Sequence, residues 1–63
     1  MQEREEKFKV GDMVKIITDV KATYGIIIEH RVDMSMSCFE WLVRLQSGWE
    51  VWFSDEELEH VGL

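Results

Sequence analysis

The side chains best suited to chemistry are the aromatic ones, because exposed aromatic grooves bind proline-rich segments and aromatic cages bind cations. Alternation along extended segments predicts that Trp41, Trp49 and Phe53 point inward and that Trp52 points outward. We interpret Trp52, together with Tyr24, as the centre of a partner-binding patch. The competing interpretation is that these rings form only core and cross-strand contacts.

Acidic side chains follow this aromatic segment directly. The chain carries a net charge of −6, and residues 46–63 contain five acidic residues and no Lys or Arg. Such a one-sided negative surface repels a phosphate backbone and attracts a basic protein. The competing interpretation is an acidic rim that serves solubility alone. The predicted partner-binding residues are Tyr24, Trp52, Asp55, Glu56 and Glu59.

Lysines near the beginning of the chain offer a different chemistry. Lys7 and Lys9 share one side of an extended segment, and Lys15 belongs to the next one. With Tyr24 as a stacking surface, they form the alternative prediction of a nucleic-acid patch. Acidic residues interleave with them, so that residues 1–21 are neutral overall. A protein partner is therefore the preferred prediction, and nucleic acid is the alternative.

Sulfur and imidazole groups suggest little chemistry. Met34, Met36 and Cys38 alternate, and thioether and thiolate ligands suit Cu(I), but Met also fills gaps or forms contact loops, and Cys is often buried. A pairing of His30 with Cys38 lacks an oxyanion hole and a third group to orient the histidine. We therefore predict no catalytic residue, no metal site and no cofactor, and we do not expect an enzyme.

The length of 63 residues predicts one domain with a small core. The single cysteine favours a reducing environment, and the sequence has neither a signal-peptide pattern nor an apolar run long enough for a membrane helix. We expect a cytoplasmic protein without membrane contact. Because so small a core gives marginal stability, weak self-association is a further expectation.

Alternating apolar residues predict five short strands. The expected strands cover residues 13–18, 26–32, 39–46 and 49–53, followed by a very short one at Val61, with or without Leu63. Ser47-Gly48 predicts a two-residue hairpin loop. The spacing of Ser54 and Glu57 predicts a capping box on one helical turn that carries Leu58 into the core. Residues 1–7 lack a periodic apolar face and are predicted to form a flexible tail.

Four stretches together resemble the Src-homology-3-like small β-barrel superfamily: VGDMVKI at 10–16, YGII at 24–27, WLVRL at 41–45 and FSDEELEHV at 53–61. Their rhythm is similar to that of small prokaryotic members such as KOW and Tudor-like domains, without pointing to a specific family. The resemblance implies an all-β fold: a single five-stranded barrel over residues 8–63, with one helical turn before the last strand.

The combined expectation is a non-enzymatic binding or accessory module that engages a protein partner through an outer aromatic and acidic face. The first alternative, implied by the resemblance, is a KOW- or Tudor-like module associated with nucleic acid in transcription or translation. The second is a small accessory subunit of a larger enzyme complex.

Overall fold

The chain forms a single antiparallel β-sheet with one short 3-10 turn. The computed structural model describes residues 7–33, 35 and 38–61. In chain order the elements are β1 (Met13–Ile16), β2 (Thr23–Asp33), β3 (Cys38–Leu45), β4 (Glu50–Ser54), the 3-10 turn (Asp55–Glu57) and β5 (Leu58–His60). The strand order across the sheet is β4-β3-β2-β1-β5. The predicted all-β class, with five strands and one helical turn before the last, is confirmed.

The predicted closure into a barrel is wrong. The strands β4 and β5 are the two edges of the sheet, and no pairing joins them within the described residues. The physical reason lies in their lengths, because β5 has three residues and β4 has five, and the 3-10 turn occupies the corner between them.

The corner between β4 and β5 nevertheless requires a strongly curled sheet. Ser54 ends β4 and Leu58 begins β5, with three residues between them. Their Cα atoms are therefore four residue steps apart, which extend over at most about 14 Å. In a flat five-stranded sheet the two edges would lie about 19 Å apart. The edges therefore approach one another at this corner, and the sheet has a concave inner face and a convex outer face.

A β-bulge in the longest strand contributes to the curl. Ile27 pairs with Val43 and Glu29 pairs with Leu42, which leaves Ile28 as an extra residue in β2. A bulge of this kind bends its strand and increases the local twist. It divides β2 into a half that pairs with both β1 and β3 and a half that pairs with β3 alone.

The core fills the inner face. Trp41 is fully buried, and Phe8 packs against it edge to face with the ring centroids 5.5 Å apart. The segment before β1 is fastened over this face by hydrogen bonds from Gly11 N to Ile27 O (2.8 Å) and from Ile27 N to Asp12 O (3.0 Å). The buried core residues are Phe8, Val14, Ile16, Ile27, Trp41, Val43 and Leu58, with Phe39, Leu45 and Phe53 partly buried around them.

The hairpin between β3 and β4 differs from its prediction. Leu45 N donates to Trp49 O (2.8 Å) and Gly48 N donates to Leu45 O (2.9 Å), so the loop contains residues 46–48 rather than two residues. Gly48 supplies the positive φ of 99° that this loop requires. Trp49 lies on the inner side of the sheet, as predicted, but it stands at the open end and is 72% exposed, so it is not part of the core.

The turn before β5 agrees with its prediction. The Glu57 carboxylate accepts hydrogen bonds from Ser54 N (2.9 Å) and from Ser54 Oγ (3.1 Å), as the reach-back half of a capping box requires. Leu58 is buried, as expected. The fifth strand, however, begins at Leu58 instead of Val61. Leu63, Met34, Met36 and the side chain of Cys38 lie outside the described part of the structure.

Candidate functional site

The outer face of the sheet carries an exposed apolar groove at the end where β1, β2 and β3 meet. Along β1 and the first half of β2, the residues that do not enter the core point to this face. Met13 is 53% exposed and Ile26 is 45% exposed. The groove has a volume of about 480 Å³, and we call it the outer groove. Its lining comprises Met13, Tyr24, Gly25, Ile26, Ile28, Arg44, Leu45 and Gln46.

One row of the sheet runs through this groove from edge to edge. Met13 pairs with Ile26, Ile26 with Arg44, and Arg44 with Glu50 of β4. Glu50 Oε2 accepts hydrogen bonds from Arg44 Nη2 (2.8 Å) and Arg44 Nε (3.1 Å). This ion pair, exposed to solvent, forms the border of the outer groove toward β4.

Gly25 forms the floor of the groove. Its position in β2 is buried and is paired with Leu45 of β3. A methyl group added here would lie 2.7 Å from the Arg44 carbonyl oxygen and closer still to Val43 Cγ1. The predicted second strand began at residue 26 and left Gly25 outside it. It lies instead within the strand, where the absence of a side chain permits the close packing.

Tyr24 and Glu59 of the predicted set lie on this part of the molecule. Tyr24 is half-buried and lines the groove. It pairs with Lys15 of β1, and Lys15 in turn pairs with Glu59 of β5. An aromatic ring, an ammonium group and a carboxylate therefore occupy adjacent positions on the outer face.

Trp52 points to the outer face, as predicted, but one side of its ring is covered. The Arg31 guanidinium carbon lies 4.1 Å from the centre of the indole ring, within the range of a cation–π interaction. Arg31 Nε also donates to Glu40 Oε1 at 2.7 Å. Trp52 is therefore half-buried in a cross-strand cluster formed by β2, β3 and β4.

Trp52 and Tyr24 do not form one patch. Trp52 pairs with Leu42, which pairs with Glu29. Glu29 is five residues from Tyr24 along β2, and the two rows are therefore separated by roughly 16 Å. The single aromatic centre predicted from the sequence consists of two separate sites on the same face.

The acidic residues of the predicted set differ in their roles. Asp55 Oδ1 accepts a hydrogen bond from the indole Nε1 of the buried Trp41. This contact satisfies a polar atom of the core, so Asp55 holds the fold together. Glu56 and Glu59 are exposed and remain accessible to a partner.

The lysines of the alternative prediction are divided between two faces. Lys7 and Lys9 flank Phe8, which packs on the inner face, and Lys7 Nζ lies 5.5 Å from the Phe8 ring centre. Lys15 lies on the outer face between Tyr24 and Glu59. The fold therefore does not bring Lys15 together with Lys7 and Lys9, as the alternative prediction required.

A second polar cluster anchors the N-terminal segment. Asp12 Oδ2 accepts from Lys9 N (3.0 Å) and lies 3.1 Å from His60 Nε2. The His60 ring also packs on Phe8, with the ring centroids 4.6 Å apart. Within the described residues, no group of three or more His, Cys, Asp or Glu side chains is arranged to hold a metal ion.

Apart from Tyr24, the residues that line the groove escaped the sequence prediction, among them Met13, Ile26, Ile28 and Arg44. A signal for Met13, Ile26 and Ile28 was available, namely that large apolar side chains occupy positions which alternation assigns to the solvent-facing side.

The described part of the chain contains no helix long and apolar enough to cross a lipid bilayer. Comparison of the sequence and the structure with protein-family models, curated proteins and solved structures finds no match.

Proposed function

We propose that this chain is a non-enzymatic binding module that engages a basic protein partner through the outer face of its sheet. The observation that carries the proposal is the outer groove, where exposed Met13 and Ile26 border a concave volume of about 480 Å³. Contiguous exposed apolar surface on a small protein is typical of an interaction site. The proposal assigns no chemical step to any residue.

The charge distribution supports a basic partner. The chain has a net charge of −6, and Glu50 and Glu59 are exposed on the two sides of the groove. Lys and Arg side chains place their aliphatic stems on apolar surface and their charged ends in water. The groove would take the stems. The charged ends would pair with Glu59, which neighbours Lys15, and with Glu50, where they would compete with Arg44. Tyr24 adds an aromatic ring for cation–π contact.

The residues predicted from the sequence contribute unequally to this site. Tyr24 and Glu59 belong to it directly, and Glu56 adds negative charge at the acidic corner of the molecule. Asp55 acts through the core, since it binds Trp41. Trp52 serves as a neighbouring surface whose ring is already stacked by Arg31.

We further propose that the chain is an open member of the Src-homology-3-like superfamily and acts in the cytoplasm. Five antiparallel strands with a 3-10 turn before the last one support the first part. The single cysteine supports the second, since reducing compartments favour free thiols. A role as an accessory subunit of a larger enzyme complex would use the same outer groove.

A titration followed by two-dimensional amide NMR tests the proposal. The probe is the synthetic peptide Lys-Val-Lys-Val-Lys-Val-Lys with blocked ends, and a peptide with Glu in place of Lys is its charge control. We expect shifts centred on the amides of Tyr24, Ile26 and Ile28, with affinity that falls as salt is added. Shifts that avoid these three residues, or equal binding of the acidic peptide, would refute the proposal.

A pair of variants matched in exposure sharpens this test. Ile26 lies in the outer groove and Val32 lies elsewhere on β2, and the two are 45% and 47% exposed. We expect Ile26→Ser to weaken peptide binding at least fivefold and Val32→Ser to leave it within twofold. Equal effects of the two substitutions would remove the groove from the binding site.

A further inference from the structure

Within the described part of the chain, the outer edge of β4 carries backbone groups that pair with no other strand, and this edge lies beside the outer groove. The strand pairs with β3 on one side and forms an end of the sheet on the other. Leu45 N donates to Trp49 O, and the backbone groups of antiparallel strands alternate in direction. Those of Trp49, Val51 and Phe53 therefore face β3, while those of Glu50 and Trp52 face away from the sheet.

The far end of this edge is closed by the chain itself. Ser54 N follows the same outward direction and is bound by the Glu57 carboxylate at 2.9 Å. The capping box therefore limits the available edge to Glu50 and Trp52. An added strand has space for pairing with these two residues and stops at the 3-10 turn.

Side chains on the two sides of β4 define what the added strand must carry. On the inner side, Trp49 is 72% exposed, Val51 is 37% exposed and Phe53 is half-buried, which favours apolar partners. On the outer side, the exposed Glu50 carboxylate favours a basic one. Because side chains alternate along a strand, a peptide of alternating basic and apolar residues satisfies both sides.

The edge is continuous with the outer groove. Glu50, Arg44 and Ile26 lie in one row across three neighbouring strands. Arg44 lines the groove, so the groove begins about 5 Å from the edge strand, which is one strand spacing. A long basic side chain on the outer side of the added strand lies over the Arg44–Glu50 pair and points toward the groove.

We propose that the basic partner binds as an extended segment that adds a sixth strand to the sheet along β4, with basic side chains outward and apolar side chains inward. This inference rests on the proposed function for the basic character of the partner. The opposite edge is less suitable, since β5 has three residues. A second copy of the chain is also disfavoured, because each copy carries a net charge of −6.

A substitution at Glu50 tests the strand addition. Glu50→Pro removes the outward N–H at an edge position where proline is tolerated, and Glu50→Ala removes the same carboxylate while keeping the N–H. With the peptide Lys-Val-Lys-Val-Lys-Val-Lys, calorimetry is expected to show at least tenfold weaker binding to Glu50→Pro than to Glu50→Ala. Equal affinities of the two variants would overturn the proposal.

Modified peptides make the same test on the unaltered protein, which matters where Glu50→Pro disturbs the fold. One peptide is N-methylated at its lysines and another at its valines, since a strand on one edge uses only alternate amides. We expect one of the two methylated peptides to bind at least tenfold more weakly than the unmodified peptide, and the other to bind less than threefold more weakly. If the added strand is antiparallel to β4, the peptide methylated at its lysines is the one that loses affinity. Similar affinities of the two peptides would overturn the proposal.

The outcomes separate this inference from the proposed function. If the peptide shifts Tyr24, Ile26 and Ile28 but its affinity does not depend on which residues are N-methylated, strand addition is refuted and the proposed function stands. Shifts confined to Glu50 and Trp52 would remove the outer groove and leave strand addition, and no binding of the peptide would remove both. Analytical ultracentrifugation of the chain without peptide tests whether a second copy of the chain binds this edge instead. Dimers that form in the parent chain and not in Glu50→Pro would show that it does, and would overturn the proposal of a basic partner.

Discussion

Trp41 and Asp55 form the contact that ties the centre of the core to the last turn of the chain. The indole ring is fully buried, and its Nε1 donates to Asp55 Oδ1. A buried donor that loses its partner retains the whole cost of leaving water. Asp55, which we predicted to bind a partner, thus also has a structural role.

Replacing Asp55 is therefore expected to cost stability rather than binding alone. Asp55→Ala should lower the free energy of unfolding by about 1–3 kcal/mol, because Trp41 Nε1 is left without an acceptor. Urea denaturation followed by circular dichroism measures the change. Glu56→Ala is the control, since Glu56 is exposed, and should change stability by less than about 0.5 kcal/mol. Similar values for both variants would contradict this role of Asp55.

Gly25 is the second residue whose role is steric. An added methyl group meets the Arg44 carbonyl oxygen at 2.7 Å, and the backbone of β3 cannot yield without breaking its pairing. Gly25→Ala should lower the free energy of unfolding by about 1–3 kcal/mol, the usual cost of overpacking. The measurement is the urea midpoint together with its slope. An unchanged midpoint would show that β2 and β3 are less closely packed than described.

Residue roles were predictable where alternation alone decides them. The burial of Trp41 and the outward direction of Trp52 followed from the period of two along β3 and β4. The stacking of Arg31 on Trp52 did not, because it depends on register across strands that are distant in sequence. The exposure of Trp49 could not be predicted, because burial also depends on what covers the end of the sheet.

At the scale of elements, the N-terminal segment is part of the folded unit. Phe8 fills the core, and the backbone of Gly11 and Asp12 binds Ile27. Phe8→Ala should lower the free energy of unfolding by about 3–5 kcal/mol, as large-to-small core substitutions do. Thermal unfolding by calorimetry measures this. Lys7→Ala changes the exposed neighbour and should have little effect, and a comparable loss there would contradict the assignment.

The loop between β1 and β2 contains a carboxylate held by local hydrogen bonds. Thr23 Oγ1 donates to Asp19 Oδ2 at 2.6 Å and Lys21 N donates to Asp19 Oδ1 at 3.3 Å, and these bonds lower the pKa of Asp19. A group whose folded pKa is lowered stabilises the fold above its unfolded pKa, and this contribution is lost as the pH falls through the folded value.

Thr23→Val removes the larger of these effects. The pKa of Asp19 should rise toward its ordinary value, and the stability of the variant should depend less on pH in the acidic range. Carboxyl-carbon NMR across acidic pH measures the pKa directly. A variant in which Asp19 titrates as in the parent chain would show that the hydroxyl of Thr23 is not the cause.

The boundaries of an element could be predicted only where the boundary residue is typical of one kind of element. The strand β3 and the capped turn agree closely with expectation, because their signals are local. The start of β2 was placed three residues late, because Gly25 is typical of a turn and here lies within a strand. The start of β5 was missed because Leu58 both ends the turn and begins the strand.

At the scale of the whole molecule, the sheet is curled but open. The number of strands and the all-β class agree with the sequence pattern. Closure could not be predicted, because it depends on edge lengths that are fixed by where the 3-10 turn falls. Because the sheet is open between β4 and β5, one side of β4 is paired with β3 and the other side is unpaired within the described residues.

Amide hydrogen exchange measures this difference between the two sides of β4 residue by residue. We expect protected amides at Val51 and Phe53, whose N–H groups face β3, and rapid exchange at Glu50 and Trp52. Binding of a strand along this edge would then protect the latter pair. Uniform protection along β4 in the free chain would show that another segment already covers the edge.

The three tryptophans occupy three distinct surroundings: Trp41 sealed beside a carboxylate, Trp49 in water, and Trp52 beneath a guanidinium group. Intrinsic fluorescence therefore divides into separable components. Emission from Trp41 will report global unfolding, and collisional quenching by acrylamide will act first on Trp49. Single-tryptophan versions of the chain would thus be optical sensors of folding and of edge occupancy that need no attached dye.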